Sequence, residues 1–330
     1  MTDTTLEERR SVRETGPNGG ASATQPQTEQ EARSARRARS RKHGRAEAGR
    51  LVFTLPALVW FLFFTGGPLV ALFAYSLTDW RGLIAPRTFV GFGNFERLMR
   101  DPVFHQAIGN TVIQLVVTLP IVVVGAFMIA YYLYLRPRGH RIIRALLFTP
   151  ILLSAPALAM VFLGVFAPSG LVNGALQAVG LQDLVSPWLA RADSAFIAIL
   201  IVIVWSSMSI SAVMLASRMN SLPAEVFEAA QLDGCSHWRR MWSIAWPMCR
   251  EFVGVITMLQ FLWTLFSSAA VVLLLTRGGP GNATVNLSFL VYDYAFNQSK
   301  VGYSQAIAVA LFAVGILGLL GIRRAFRQQY

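Results

Sequence analysis

The sequence predicts an all-α, polytopic integral membrane protein with about six spanning helices. Three observations carry that reading. Of 330 residues, 54% are hydrophobic and only 14% charged, where soluble domains carry about 25% charge; the mean hydropathy is +0.50. The apolar residues gather into six runs, each near the ~20 residues a helix needs to cross ~30 Å of hydrocarbon. The arginines cluster in every second connection between those runs.

The runs are Leu51–Leu77, Thr111–Leu135, Ile142–Phe166, Ala195–Ala216, Phe252–Leu275 and Tyr303–Ile322. Strands of a membrane barrel would be about half as long and would alternate; these do not. The tail before Leu51 carries Arg33, Arg36, Arg37, Arg39, Arg41, Lys42, Arg45 and Arg50. Arg136, Arg138, Arg141 and Arg144 follow the second run. Arg218, Arg239, Arg240 and Arg250 follow the fourth, and Arg323, Arg324 and Arg327 close the chain. All four clusters share one side if each run crosses once. Positive connections stay cytoplasmic, so both termini are expected inside. Arg81, Arg87, Arg97 and Arg100 in the first outer connection run against the rule, but the other four clusters agree with six crossings.

Two domains are expected. Residues 1–50 are rich in Ser, Thr, Gln, Glu, Gly and Arg, a composition that cannot build a core. They read as a disordered basic cytoplasmic tail, free of any apolar signal-peptide core, that fixes orientation. Contact with anionic lipid is a second reading of the basic run, and nucleic acid is not an expected partner. Residues 51–330 form the membrane domain.

What the spans lack narrows the function. No Asp, Glu, Lys or Arg lies well inside any run. Ion-coupled carriers use buried ionisable groups as relays, and many channels use charged filter rings. Both classes are disfavoured. A nucleotide-binding P-loop needs Gly-Lys followed by Ser or Thr. The two lysines, Lys42 and Lys300, follow Arg41 and Ser299, so ATP would have to be bound by another chain. Cys235 and Cys249 both fall on the expected cytoplasmic side, which argues against a structural disulfide. The four histidines are scattered, and neither a metal site nor a catalytic constellation is proposed.

The fourth and fifth runs are joined by an unusual polar stretch, "LPAEVFEAAQLDG" (222–234) followed by "SHWRRMWSIAWP" (236–247). Pro223 suits the first turn of a helix, and Glu225 and Glu228 suit its positive end. Gly234 stops it. Trp238, Met241, Trp242 and Ala245 then recur on one helical face, with Arg239 and Arg240 elsewhere. The stretch reads as a short helix, a tight turn and a second short helix, with Pro247 marking the approach to the next span. It can lie on lipid through its aromatic residues, or it can dock into a partner.

Glu228-Ala229-Ala230, then Asp233-Gly234, then Pro247, resemble the "EAA…G" loop of the permeases of ABC importers. Cys235 and Met241 stand where Ala and Phe are common in that family. "LPALVWFLFF…SLTDW" (55–80), "FVGFGNFERLMRDPVFHQAIGNT" (89–111) and "LLLTRGGPGNATVNLSFLVYDYAF" (273–296), with Gly302, Tyr303 and Ala306, resemble sugar permeases of the maltose type. The Gly-Gly-Pro-Gly loop resembles the first of the two permeases such importers pair. The likeness covers roughly 51–330.

The resemblance implies a type I importer permease fold and alternating access. It implies that 222–247 is a coupling loop seated in a separate ATPase dimer that holds ATP and Mg, with Glu228 meeting a basic residue there. It also implies a second homologous permease, an extracytoplasmic solute-binding protein, and residence in the cytoplasmic (inner) membrane of a bacterium. The expected cargo is a carbohydrate, an oligosaccharide above all. A glycerol-phosphate or a polyamine is the alternative cargo; an ion-coupled carrier and an integral membrane enzyme are the rival classes.

Two further sets of residues are candidates. Gln260, Thr264 and Ser267 recur on one face of the fifth run with Trp263 beside them, and Ser206 and Ser207 sit in a serine cluster of the fourth. Sugar hydroxyls need donors and acceptors, so these residues are candidates for a substrate path. Serine and threonine also serve as glue between membrane helices. Gly278, Gly279, Pro280 and Gly281 form a dense turn signal; the family reading makes them a contact for the binding protein.

Overall fold

A computed structural model of the chain describes residues 54–82 and 85–326. The tail expected over 1–50, and Arg327 of the C-terminal basic cluster, lie outside the described residues. Five helices are long and apolar enough to cross a membrane, and one bent pair counts as a sixth.

The chain divides into two units after Gly67. α1 (Thr54–Ser76) is the first spanning helix. In the first unit it widens into a π turn over Leu62–Gly66, and Trp60 leans on Phe64 with ring centroids 4.3 Å apart. In the second unit, β1 (Thr78–Asp79) pairs antiparallel with β2 (Thr88–Phe89). Asn94, buried on α2 (Gly93–Arg100), fastens this hairpin. Its amide donates to the carbonyls of Ser76 at 2.8 Å and Thr78 at 2.9 Å.

α3 (Pro102–Tyr134) starts well ahead of the Thr111 expected from hydropathy. Asp101 caps it, accepting from the Val103 N–H at 2.8 Å, and Pro102 fills the first turn, where its missing donor is not needed. At ~1.5 Å per residue its 33 residues reach about 50 Å, so its first turns project beyond the hydrocarbon.

The third span differs from expectation. The run Ile142–Phe166 is not one helix but α4 (His140–Leu152) and α5 (Ala155–Val165), bent by 114°. Leu153 and Ser154 adopt extended backbone. The Ser154 hydroxyl caps α5 by accepting from the Ala157 N–H, and Pro156 occupies its first turn. A proline there cannot extend α4 but starts a new helix well. α6 (Leu171–Ala178) follows, its connection held by buried Asn173, whose Oδ1 accepts from the Trp188 indole at 2.9 Å.

α7 (Ala192–Met219) is the fourth span, followed by the short α8 (Ala224–Leu232) and then α9 (His237–Ser267). The second short helix expected at 236–247 is therefore not a separate piece; it forms the opening turns of the fifth span. A π turn over Met241–Ala245 lets the Trp246 N–H reach back to the Met241 carbonyl. The widened turn sits just ahead of Pro247, where an α pattern loses a donor. The span also ends early, at Ser267, and α10 (Ala269–Leu275) follows after a turn at Ser268. α11 (Leu287–Tyr292) and α12 (Val301–Phe326) complete the unit.

α3 packs along α7 and α9, and α12 along α9. Two apolar cores result. One gathers Phe104, Leu115, Ile199, Leu265 and Ile307. The other gathers Phe127, Leu215, Met219, Phe227 and Ile256, and so reaches into α8.

Candidate functional site

The elbow between α7 and α9 is built by capping chemistry. Gly234 takes φ +73°, a left-handed conformation that side chains resist. The Gly234 N–H then donates to the Gln231 carbonyl at 3.1 Å and the Cys235 N–H to the Ala230 carbonyl at 2.9 Å, the paired bonds that close a helix end. Ser236 caps α9 by accepting from the Arg239 N–H. Arg240, expected to point away, is instead buried. Its guanidinium donates to Gln231 Oε1 at 3.1 Å and lies 3.1 Å from His237 Nδ1, tying the two arms together.

One face of α8 is anchored and the other is bare. Phe227 and Ala230 are buried, and Phe227 rests on Tyr134 with centroids 5.2 Å apart. Glu228, Ala229, Asp233 and Gly234 are exposed, and Leu232 beside them is 89% exposed. A leucine that bare, rimmed by carboxylates on a rigid elbow, suits docking.

A second site lies where the third span breaks. A cavity of about 430 Å³ opens between the α4–α5 bend, α7 and the α9–α10 turn. Ser206, Ser207, Trp263, Thr264 and Ser267 all line it, so the two sets proposed on separate spans meet in one place. The Ser207 hydroxyl is buried and has no hydrogen-bond partner, and the Trp263 ring is 61% exposed. No charged side chain lines the cavity. Gln260 departs from expectation. It is not among the lining residues but sits buried behind them, donating to Thr264 Oγ1 at 3.1 Å.

Behind the cavity runs a polar network that the sequence reading missed. Gln114 on α3 donates to the Thr264 carbonyl at 3.3 Å and accepts from the Asn286 amide at 3.1 Å. Asn286 also donates to Ser268 Oγ at 3.0 Å and caps α11 through the Phe289 N–H. The signal was partial: Gln114 sits inside the apolar run VIQLVV (112–117), and a buried amide needs a partner.

The Gly278–Gly281 turn lies at the other end of the bundle from the elbow. Thr284 holds it, its hydroxyl donating to the Gly279 carbonyl at 2.8 Å. Gly278 is buried beneath Phe289 and Val285, so its role is packing; Gly281 and Asn282 form the exposed tip. Nearby, Asp101 receives the hydroxyls of Tyr294 and Tyr303.

A multi-pass helical bundle with a rigid elbow at one end and a polar cavity at a broken span defines a membrane permease subunit. Comparison with known proteins is specific. Residues 123–329 match the family described as binding-protein-dependent transport system inner membrane component, and the chain belongs to that family. The multiple sugar-binding transport system permease protein MsmF of Streptococcus mutans is 34% identical over 76% of this chain and 85% of its own. The diacetylchitobiose uptake system permease protein NgcF of Streptomyces coelicolor is 29% identical, covering 81% and 82%. In three dimensions the chain matches one from the crystal structure of a bacterial ABC transporter involved in the import of the acidic polysaccharide alginate. There the TM-score is 0.71 at 19% identity, covering 88% of this chain and 98% of that one. The chain is thus a multi-pass inner-membrane transport component with the fold of an ABC importer permease.

Proposed function

We propose that this permease carries a carbohydrate, an oligosaccharide in particular, inward across the cytoplasmic membrane. The observation that carries the reading is the cavity at the broken third span. Ser206, Ser207, Thr264 and Ser267 line it together with Trp263, which is 61% exposed. Sugars present hydroxyl groups beside apolar ring faces, and this lining offers both partners. The names of MsmF and NgcF support the same cargo class. A polyamine or a glycerol-phosphate would bring charge into a cavity lined by no counter-charge, which is costly in a membrane.

The chain supplies no chemistry of its own in this reading. ATP and Mg belong to a separate ATPase dimer that grips α8 through Glu228, Ala229 and the exposed Leu232. A second homologous permease completes the pathway. A solute-binding protein docks at Gly279, Pro280 and Gly281, and both termini face the cytoplasm. ATP-driven closure of the ATPases then moves the elbow, and with it α7 and α9, whose polar faces line the cavity. Such coupling requires the elbow to bind its partner differently in the two states.

The test is uptake by the assembled importer in proteoliposomes, with its binding protein and a panel of labelled oligosaccharides, glycerol-phosphate and polyamines. ATP-dependent accumulation of an oligosaccharide is expected. Accumulation of a charged solute alone would overturn the cargo assignment.

A further inference from the structure

At the elbow end of the bundle, the end of α3, the start of α4 and the end of α7 enclose a cleft of about 490 Å³ that the transport reading does not use. Its lining has two characters. Leu133, Leu147 and Val213 make an apolar wall; Arg136, Arg144 and Asn220 bring polar groups. No Asp or Glu occurs in the sequence between Asp101 and Asp183. Among the described residues neither arginine has an ion pair. Arg144 lies over the Phe148 ring at 5.8 Å, and the Arg136 guanidinium makes no hydrogen bond there. His140, also in the lining, turns Nδ1 to the Pro137 carbonyl at 3.0 Å.

Position narrows what could fill this cleft. α3 finishes at Tyr134 and α7 at Met219, so the cleft lies where two spans leave the membrane. Tyr132 and Tyr134 on the last turn of α3 suit the headgroup layer. An occupant must present an anion to two unpaired guanidinium groups and hydrocarbon to the wall beside them. Free phosphate would leave the wall wet, and a neutral lipid would leave the charges unanswered. Basic pockets between spans at this depth suit anionic headgroups.

We propose that the cleft is a binding site for an anionic phospholipid. Arg136 and Arg144 take its phosphate, and one acyl chain runs along Leu133, Leu147 and Val213. The lipid thereby ties the first half of the broken span to α3 and α7.

The full-length chain, delipidated in detergent, is titrated with phosphatidylglycerol, phosphatidylcholine or inorganic phosphate, and bound lipid is counted by native mass spectrometry. Phosphatidylglycerol is expected to bind in preference to phosphatidylcholine, undisplaced by equimolar phosphate. Arg136→Asn with Arg144→Gln removes both charges, and asparagine tolerates the φ of +48° at position 136. This pair should weaken binding by roughly thirtyfold, from the typical contribution of each basic group near a charged membrane surface. Ser217→Trp fills the cleft while keeping its charges and should also weaken binding, whereas Arg323→Gln with Arg324→Gln should not.

Wild-type binding by the cleft variants, equal binding of phosphatidylcholine, or displacement by phosphate would overturn the proposal. So would a crosslink from Asn220→Cys to another subunit that excludes lipid from the assembled importer.

Discussion

Asp101 Oδ2 accepts the Tyr303 hydroxyl at 2.7 Å, across 202 residues of sequence, joining the cap of α3 to the first turn of α12. Tyr294 donates to the same oxygen at 3.1 Å. Arg97 lies over the Tyr303 ring at 5.4 Å and Lys300 over the Tyr294 ring at 5.4 Å. One carboxylate therefore gathers α2, α3 and α12 at the end of the bundle away from the elbow.

Tyr303→Phe should cost about 2 kcal/mol, the usual worth of a hydrogen bond to a charged group. Thermal unfolding of the detergent-solubilised chain measures it. Burial pushes Asp101 up, but bonds from Tyr303, the Val103 N–H, Tyr294 and the Phe104 N–H outweigh it and hold its carboxyl below the ordinary 3.8. The unfolded chain thus takes up the proton first as pH falls. The stabilisation is complete above pH 3.8 and fades as pH drops through the lowered value. Tyr294 is pushed up to about 12 by burial and by the Asp101 charge. Its contribution holds below the ordinary tyrosine value of 10 and is lost as pH rises toward 12. In Asp101→Asn the acid-side loss should disappear. A stability profile below pH 4 that is identical in wild type and variant would remove the clamp from the account.

How much of this was legible in the sequence depends on what each feature rests upon. The spans and the elbow turn are local: apolar length sets the first, and Gly234 the second. The helix break at Leu153 was also local, since Ser154 and Pro156 form a start signal, but the high hydropathy of 142–166 masked it. The beginning of α3 at Pro102 was written in the Asp-Pro pair, and hydropathy alone does not register a cap. By contrast, the link from Gln114 to Asn286 spans 172 residues, and no periodicity within either segment announces the other. The burial of Arg240 follows from the elbow's three-dimensional closure, where Gln231 and His237 meet it. Serines and Trp263 on separate spans could be nominated from their faces, but only packing shows that they share a cavity while Gln260 sits behind it.

The elbow allows stability and coupling to be separated. Glu228 is exposed and has no partner among the described residues, so Glu228→Ala should shift stability by no more than ~0.5 kcal/mol. If α8 docks into an ATPase, the same change should strongly reduce ATP hydrolysis stimulated by loaded binding protein. Gly234→Ala forces a side chain into a left-handed conformation at about 1–2 kcal/mol and should impair both fold and coupling. Stimulated ATP hydrolysis at the wild-type level in Glu228→Ala would refute the docking role.

Ser207 offers the sharpest test of the path. Its hydroxyl is buried and unpaired, in a residue that lines the cavity. As a purely structural residue it is a liability, and Ser207→Ala should leave stability unchanged or raise it by about 1 kcal/mol. As a ligand for cargo its removal should raise the KM of transport without altering basal ATP hydrolysis. Trp263→Ala should act in the same direction, weakening apparent affinity about fivefold from the ~1 kcal/mol typical of a well-placed aromatic contact. The two variants are best measured together in proteoliposomes, with thermal unfolding alongside. A more stable Ser207→Ala that transports with wild-type kinetics would place the cargo elsewhere in the bundle and leave the hydroxyl without a role.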